Sequence, residues 1–147
     1  MRIALASDHA GFDLKDRIAA HLAARHECLD LGPYGAGRVD YPDFAEKVGR
    51  AIAAREADLG ILICGSGIGI SIAANKIPGV RAALCGDPGT AAGARVWNHA
   101  NVICLSNRTL SPDMAREILA AWYDTAPGDR GAAGVALLRA LEARHLR

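Results

Sequence analysis

The chain predicts an α/β fold, a parallel five-stranded sheet covered by helices on both faces. Two observations carry this. Short apolar runs alternate with amphipathic stretches along the whole chain, the pattern of successive β–α units with right-handed crossovers. The central run, Leu59 to Ile63, is apolar throughout and ends at Cys64-Gly65-Ser66-Gly67-Ile68-Gly69, a buried strand turning through glycines into a helix. Proline punctuation helps to place the helices: three of them open on proline, at Pro42, Pro88 and Pro112, where the missing N–H costs nothing.

In order, Ile3 to Ala6 reads as the first strand, ending at Ser7-Asp8-His9-Ala10-Gly11. A helix follows with Leu14, Ile18 and Leu22 on its inner face and Lys15, Asp16, Arg17 and Arg25 facing out. Glu27 to Leu31 is the second strand, and Gly32 to Asp40, with three glycines and a proline, is a loop. Phe44, Val48, Ala51 and Ile52 form the apolar face of the helix that opens at Pro42. After the central motif, Ile70 to Lys76 is helix and Val80 to Cys85 a fourth strand. Thr90 to Trp97 is a short helix weakened by Gly93, and Asn101 to Leu105 a fifth strand. Asp87 and Ser111 are N-cap candidates for the helices at Pro88 and Pro112. Met114, Ile118 and Trp122 fall in register on the latter, Thr125 to Gly134 is turn-rich, and Val135 to His145 is the last helix. The 147 residues suit a single domain spanning 1–147.

Composition narrows the function classes. Net charge is +1 with no block of like charge, so neither nucleic acid nor a membrane surface has electrostatic support. The N-terminus enters a strand pattern at once, and no apolar run has bilayer length. Cys28, Cys64, Cys85 and Cys104 form no C-x-x-C pair and no zinc-ligand spacing with histidine. No metal site is expected, and free thiols point to a reducing cytoplasm.

A parallel sheet puts every strand end on one edge, where ligands bind in open α/β folds. Ser7-Asp8-His9, Cys64-Gly65-Ser66, Cys85-Gly86-Asp87 and Leu105-Ser106-Asn107-Arg108 should crowd there. The G-S-G-I-G turn is neither G-x-G-x-x-G, since the third glycine would fall on Ile70, nor a P-loop. It suits an anion held by backbone amides at a helix start, or glycines that merely allow close helix–strand packing. Cys64 is either an inert core thiol or a thiolate acting as nucleophile or proton-abstracting base beside an oxyanion site. Asp8 is either a helix cap or, with His9, a polar ligand for sugars and phosphates. His21, His26 and His145 fall on solvated positions. Arg108 and Arg130 lie in turn segments and are the candidate bidentate phosphate partners.

Asp8-His9-Ala10-Gly11-Phe12-x-Leu14-Lys15, Asp40-Tyr41-Pro42, Ile63 to Lys76, Gly79-Val80-Arg81-Ala82-Ala83 and Asn98-x-x-Asn101-Val102 occur in this order. Together they resemble the B-type ribose-5-phosphate isomerases, in the family shared with the galactose-6-phosphate isomerase subunits. The resemblance implies a Rossmann-like three-layer sandwich working as a homodimer or tetramer, with the active site between subunits. It implies interconversion of ribose 5-phosphate and ribulose 5-phosphate through a cis-enediolate, without metal or cofactor. Cys64 stands where many members carry the base; the alternative Glu six positions on is Ile70 here. Ser66 and the Gly65, Gly67 and Gly69 amides would hold the enediolate, and Asp8, His9 and Tyr41 would line the sugar pocket. Arg108 and Arg130 would hold the phosphate. Asn98 and the arginines would come from the neighbouring subunit.

Two departures stand out. Members usually carry a ring-opening His before the Asn at position 98, where this chain has Trp97; His99 is the candidate to replace it. Members usually read Gly-Gly-Arg-His-x-x-Arg near the C-terminus, where this chain reads Gly128-Asp129-Arg130-Gly131-Ala132-Ala133-Gly134. Both fit a related isomerase on another sugar, such as a tetrose or tetrulose phosphate or an allose-type substrate, or a catalytically silent sugar-phosphate-binding subunit.

Overall fold

The computed structural model describes residues 1–146. Apolar alternation and glycine punctuation resolve into β1 (Arg2–Ser7), α1 (Phe12–Leu22), β2 (Glu27–Asp30), α2 (Tyr41–Ala53), β3 (Leu59–Cys64), α3 (Ile68–Ala74), β4 (Ala82–Leu84), α4 (Pro88–Asn98), β5 (Val102–Ser106), α5 (Pro112–Tyr123) and α6 (Ala132–His145). The strands form one parallel sheet in the order β2-β1-β3-β5-β4. Register places Ser7 beside Ile63 and Cys64 beside Ser106, so the ends of β1, β3 and β5 are level.

Strand alternation divides the core into two layers. Ile3, Leu5, Ile61, Ile63, Ile103 and Leu105 pack with α1, α4 and α5. Ala4, Ala6, Leu62, Cys64, Val102 and Cys104 pack with α2 and α3. All six residues of β3 are buried, as expected of a strand covered on both faces. Each fully buried Ile or Leu there contributes on the order of 2 kcal/mol. Helix α6 lies outside this sandwich against α4, with Val135 as its buried residue.

The N-caps behave as the sequence suggests. Asp87 accepts from the Thr90 amide at 2.7 Å and Ser111 from the Met114 amide at 3.1 Å. Other expectations need correction. Lys15, placed outward by helical periodicity, is fully buried on α1, because Asp30 on β2 and Asp16 meet its ammonium. His26 does not sit in solvent: both ring nitrogens are buried, and the ring packs edge-on to Tyr123 at 4.8 Å. Burial, then the N-terminal amine and Arg25, lower its pKa. Met114 is exposed while Ile118 and Trp122 are buried. Strand β4 begins only at Ala82 and is a short edge strand, with Arg81 tied to Asn101 beforehand.

Candidate active site

The chain order reverses at β1. Strand β2 follows on one side of it and β3 on the other, so their crossover helices leave on opposite faces and open a crevice at the β1/β3 ends. Cys64 closes β3 in that crevice. The Asp8 amide donates to the Ile63 carbonyl at 3.1 Å, which locks the β1 turn to β3. Beyond β5, the Asn107 amide donates to the Cys64 carbonyl at 2.9 Å. The Arg108 amide and the Ser106 hydroxyl both donate to the Gly65 carbonyl, at 3.0 and 2.8 Å. Three strand ends are thus stitched into one floor.

On this floor the Gly67 amide donates to the Cys64 sulfur at 3.1 Å. Gly67 makes the turn with φ +75° in the left-handed region, and a β-carbon on it would meet Leu84 at 2.6 Å; only glycine satisfies both demands. Ser66 accepts from the Ile68 amide at 3.1 Å, which seats the start of α3. The Tyr41 ring, at the start of α2, lies 2.9 Å from the place a β-carbon on Gly69 would take. The Arg108 guanidinium lies over Gly65, 3.3 Å from the corresponding point. His9 is exposed, with Nδ1 between the Val39 carbonyl (3.0 Å) and amide (3.3 Å). Asp8 is nearly buried and accepts from the Gly11 amide at 3.0 Å, closing the turn before α1 rather than capping the helix itself.

Asp8, His9, Tyr41, Cys64, Gly65, Ser66, Gly67 and Gly69 therefore meet at the edge where they were expected. Arg108 joins them from the same chain, as the strand-end topology predicts and not from a neighbouring subunit as the resemblance implies, because the β5 turn is bonded to Gly65. Asn98, His99 and Arg130 do not join them within the chain. Helix α4 runs back against the strand direction, so its C-terminus lies at the opposite edge, just before β5. There His99 holds φ +46° and its Nε2 lies 3.0 Å from the Gly128 carbonyl. Trp97 is 56% exposed, and Arg130 sits beside Gly131, which packs on the Trp97 main chain. A β-carbon on Gly131 would fall on the Trp97 carbonyl oxygen and within 2.7 Å of the Val96 one. The residue at 131 is a packing glycine here.

One supporting group escaped sequence reading: Val39, which brackets His9 and is marked by nothing local. Burial, with Asp87 second, raises the Cys85 thiol to about 11, and burial raises Cys104, so both stay neutral thiols. Among the described residues no cluster of three or more His, Cys, Asp or Glu is placed to hold a metal, and no helix is long and apolar enough to cross a membrane.

The ribose/galactose isomerase family model matches residues 3–137. The chain belongs to that family. Within it, the chain is 43% identical to ribose-5-phosphate isomerase B of Escherichia coli, over 97% of both chains. It is 40% identical to D-erythrulose-4-phosphate isomerase of Pectobacterium atrosepticum, over 84% of this chain and 83% of that one. The solved structure of ribose-5-phosphate isomerase B from Clostridium thermocellum superposes with a TM-score of 0.96 at 43% identity, covering 99% of each chain. Family membership makes the chain an isomerase and agrees with its Rossmann-like three-layer sandwich.

Proposed function

We propose that this isomerase interconverts ribose 5-phosphate and ribulose 5-phosphate, with Cys64 as the base. The observation that carries the reading is the Cys64–Gly69 turn in the β1/β3 crevice, with sulfur, backbone amides, Asp8, His9, Tyr41 and Arg108 converging on one space. The thiolate removes the C2 proton of the open-chain aldose. The electron pair moves into a C1–C2 double bond, and the C1 oxygen takes the negative charge as a cis-enediolate. The Gly65, Gly67 and Gly69 amides and Ser66 face that charge. Return of the proton to C1, with the C2 hydroxyl proton passing to the C1 oxygen and C2 becoming a carbonyl, gives the ketose. The substrate is oxidised at one carbon and reduced at its neighbour, so the step needs no redox cofactor.

Asn98, His99 and Arg130 serve a second copy in this reading. They lie at the far edge of their own sheet, and exposed Ile68, Ile72 and Leu84 flank the Cys64 turn as an apolar surface for that copy. Residues 1–147 act as one domain in a homodimer or tetramer. Four free thiols support a cytoplasmic setting.

A second reading, a tetrulose phosphate isomerase, is favoured by Trp97 and by the placement of His99. An indole offers no ring-opening proton, and the His99 Nε2 is occupied by Gly128. A tetrose phosphorylated on O4 cannot close a furanose and needs no such group. The Pectobacterium relative, named for erythrulose 4-phosphate, supports it too.

A coupled assay over ribose 5-phosphate, allose 6-phosphate and erythrulose 4-phosphate decides. Turnover of ribose 5-phosphate is expected, falling on the order of a thousandfold or more in Cys64→Ala. Preference for erythrulose 4-phosphate would install the second reading. Turnover that survives Cys64→Ala removes the cysteine base, and no turnover on any sugar marks a silent subunit.

A further inference from the structure

We infer that Lys15 is a positioning residue, whose buried ion pair with Asp30 holds the Gly32–Asp40 loop and through it the Asp8–His9 wall of the sugar pocket. The Lys15 side chain is 1% exposed. Its ammonium donates to both Asp30 oxygens, at 3.0 and 2.8 Å, and to Asp16 at 2.8 Å. The Phe12 and Tyr34 rings flank it, with centroids at 5.4 and 6.0 Å. An ammonium out of water needs such partners. Burial works against the charge, but the bonds the ammonium donates to Asp16 and Asp30 outweigh it and raise the pKa above the ordinary lysine value.

What the pair holds is the reason to assign it a role. Asp30 Oδ1 also accepts from the Gly32 amide at 2.9 Å, and the Asp30 carbonyl accepts from the Tyr34 hydroxyl at 2.8 Å. Gly32, at φ +93°, in turn accepts from the Ser7 amide at 3.0 Å. Ser7 donates its hydroxyl to the Asp8 carbonyl at 2.9 Å. The same loop ends at Val39, which flanks His9 Nδ1. Both ends of the loop therefore touch the Ser7–His9 turn, and the first end is anchored on Asp30. Lys15 reaches the same turn along its own helix, since its amide donates to the Gly11 carbonyl and the Gly11 amide to Asp8. Without the ammonium, Asp30 is a half-buried carboxylate with no countercharge and is drawn toward water, taking Gly32 with it.

The inference rests on the reading that Asp8 and His9 line the sugar pocket, so its test has one arm in kinetics and one outside it. Lys15→Met is expected to raise KM for the sugar phosphate on the order of tenfold, with kcat changed less than about threefold; Lys15→Arg recovers most of the loss. A purely structural lysine would lower the melting temperature and the active fraction, hence apparent kcat, and leave KM alone; that result overturns the proposal. Should Lys15→Met fail to fold, Tyr34→Phe, at a residue 78% exposed, removes the loop's other hold on Asp30 and is expected to raise KM about two- to fivefold. The second arm is amide hydrogen exchange at Val39 with the His9 imidazole resonance, in the absence of sugar. Faster Val39 exchange and a shifted His9 signal in the folded variant support the proposal even if no sugar is turned over. Unchanged signals in both variants refute it whatever the substrate is.

Discussion

Two glycine-bearing turns of this molecule use the same residue for opposite purposes. At Cys64–Gly69 the glycines clear space in front of the backbone: Arg108 lies over Gly65, Tyr41 over Gly69, and the Gly67 amide reaches sulfur. At Gly128–Gly134 the decisive glycine, Gly131, removes space, letting α6 settle on the carbonyls that end α4. One turn lets side chains and the Cys64 sulfur lie against its backbone, and the other seals a helix junction. What fills the room a glycine leaves therefore differs: the side chains of Arg108, Leu84 and Tyr41 at the first turn, the main chain that ends α4 at the second.

The sharpest way to break this contrast is Gly67→Ala. The left-handed φ costs about 1–2 kcal/mol, and the new methyl meets Leu84 at 2.6 Å and the Leu105 main chain at 3.0 Å. Turnover is expected to fall on the order of a hundredfold or more as the amide leaves the sulfur, measured as kcat/KM on the preferred sugar phosphate. Near-normal turnover would mean the amides are not part of the machinery. Gly131→Ala should act on stability instead, at about 2–3 kcal/mol in urea unfolding, because the obstacle is backbone that cannot rotate away. Its companion Gly134→Ala, with nothing within 4 Å, should stabilise α6 by roughly 0.5–1 kcal/mol. Equal effects at the two positions would erase the distinction between a packing glycine and a merely helical one.

The gentlest test lies outside both turns, at the seam of α1 and α5. Burial holds the His26 imidazole below the ordinary histidine value of 6.5, so below that pH the unfolded chain binds the proton that the folded chain resists. Stability is complete above about 6.5 and is lost as pH falls through the lower folded value. His26→Phe, which removes the two unpartnered nitrogens, is expected to flatten melting temperature against pH between 7 and 5. An unaltered slope would assign the acid sensitivity to another group.

Much of the fold was legible because its determinants are local. Apolar runs, proline at the first turn, and the Asp87 and Ser111 caps depend on a few neighbouring residues, and α2, α4 and α5 begin within two residues of where these signals put them. The grouping of residues around Cys64 was legible for the same reason, since strand ends of a parallel sheet must share an edge. Lys15 and His26 misled because helical periodicity weighs each residue by its polarity. A lysine turns inward when a carboxylate on another strand waits there, and a histidine when an aromatic ring does. Neither partner, Asp30 for Lys15 or Tyr123 for His26, is visible from the residues immediately around it.

Chemistry that sits on consecutive residues, the Cys64–Gly69 turn above all, is written in the chain because a strand end, a glycine turn and a helix start are enforced by short-range sterics and hydrogen bonds. The strand order, the level ends of β1, β3 and β5, and the placing of Trp97, His99 and Arg130 on the far edge arise only from tertiary packing. Those features depend on which apolar faces bury one another across dozens of residues, and on a helix that returns antiparallel to its strands. The Cys64–Gly69 turn is thus a property of sequence, and its separation within the chain from Trp97, His99 and Arg130 is a property of the fold.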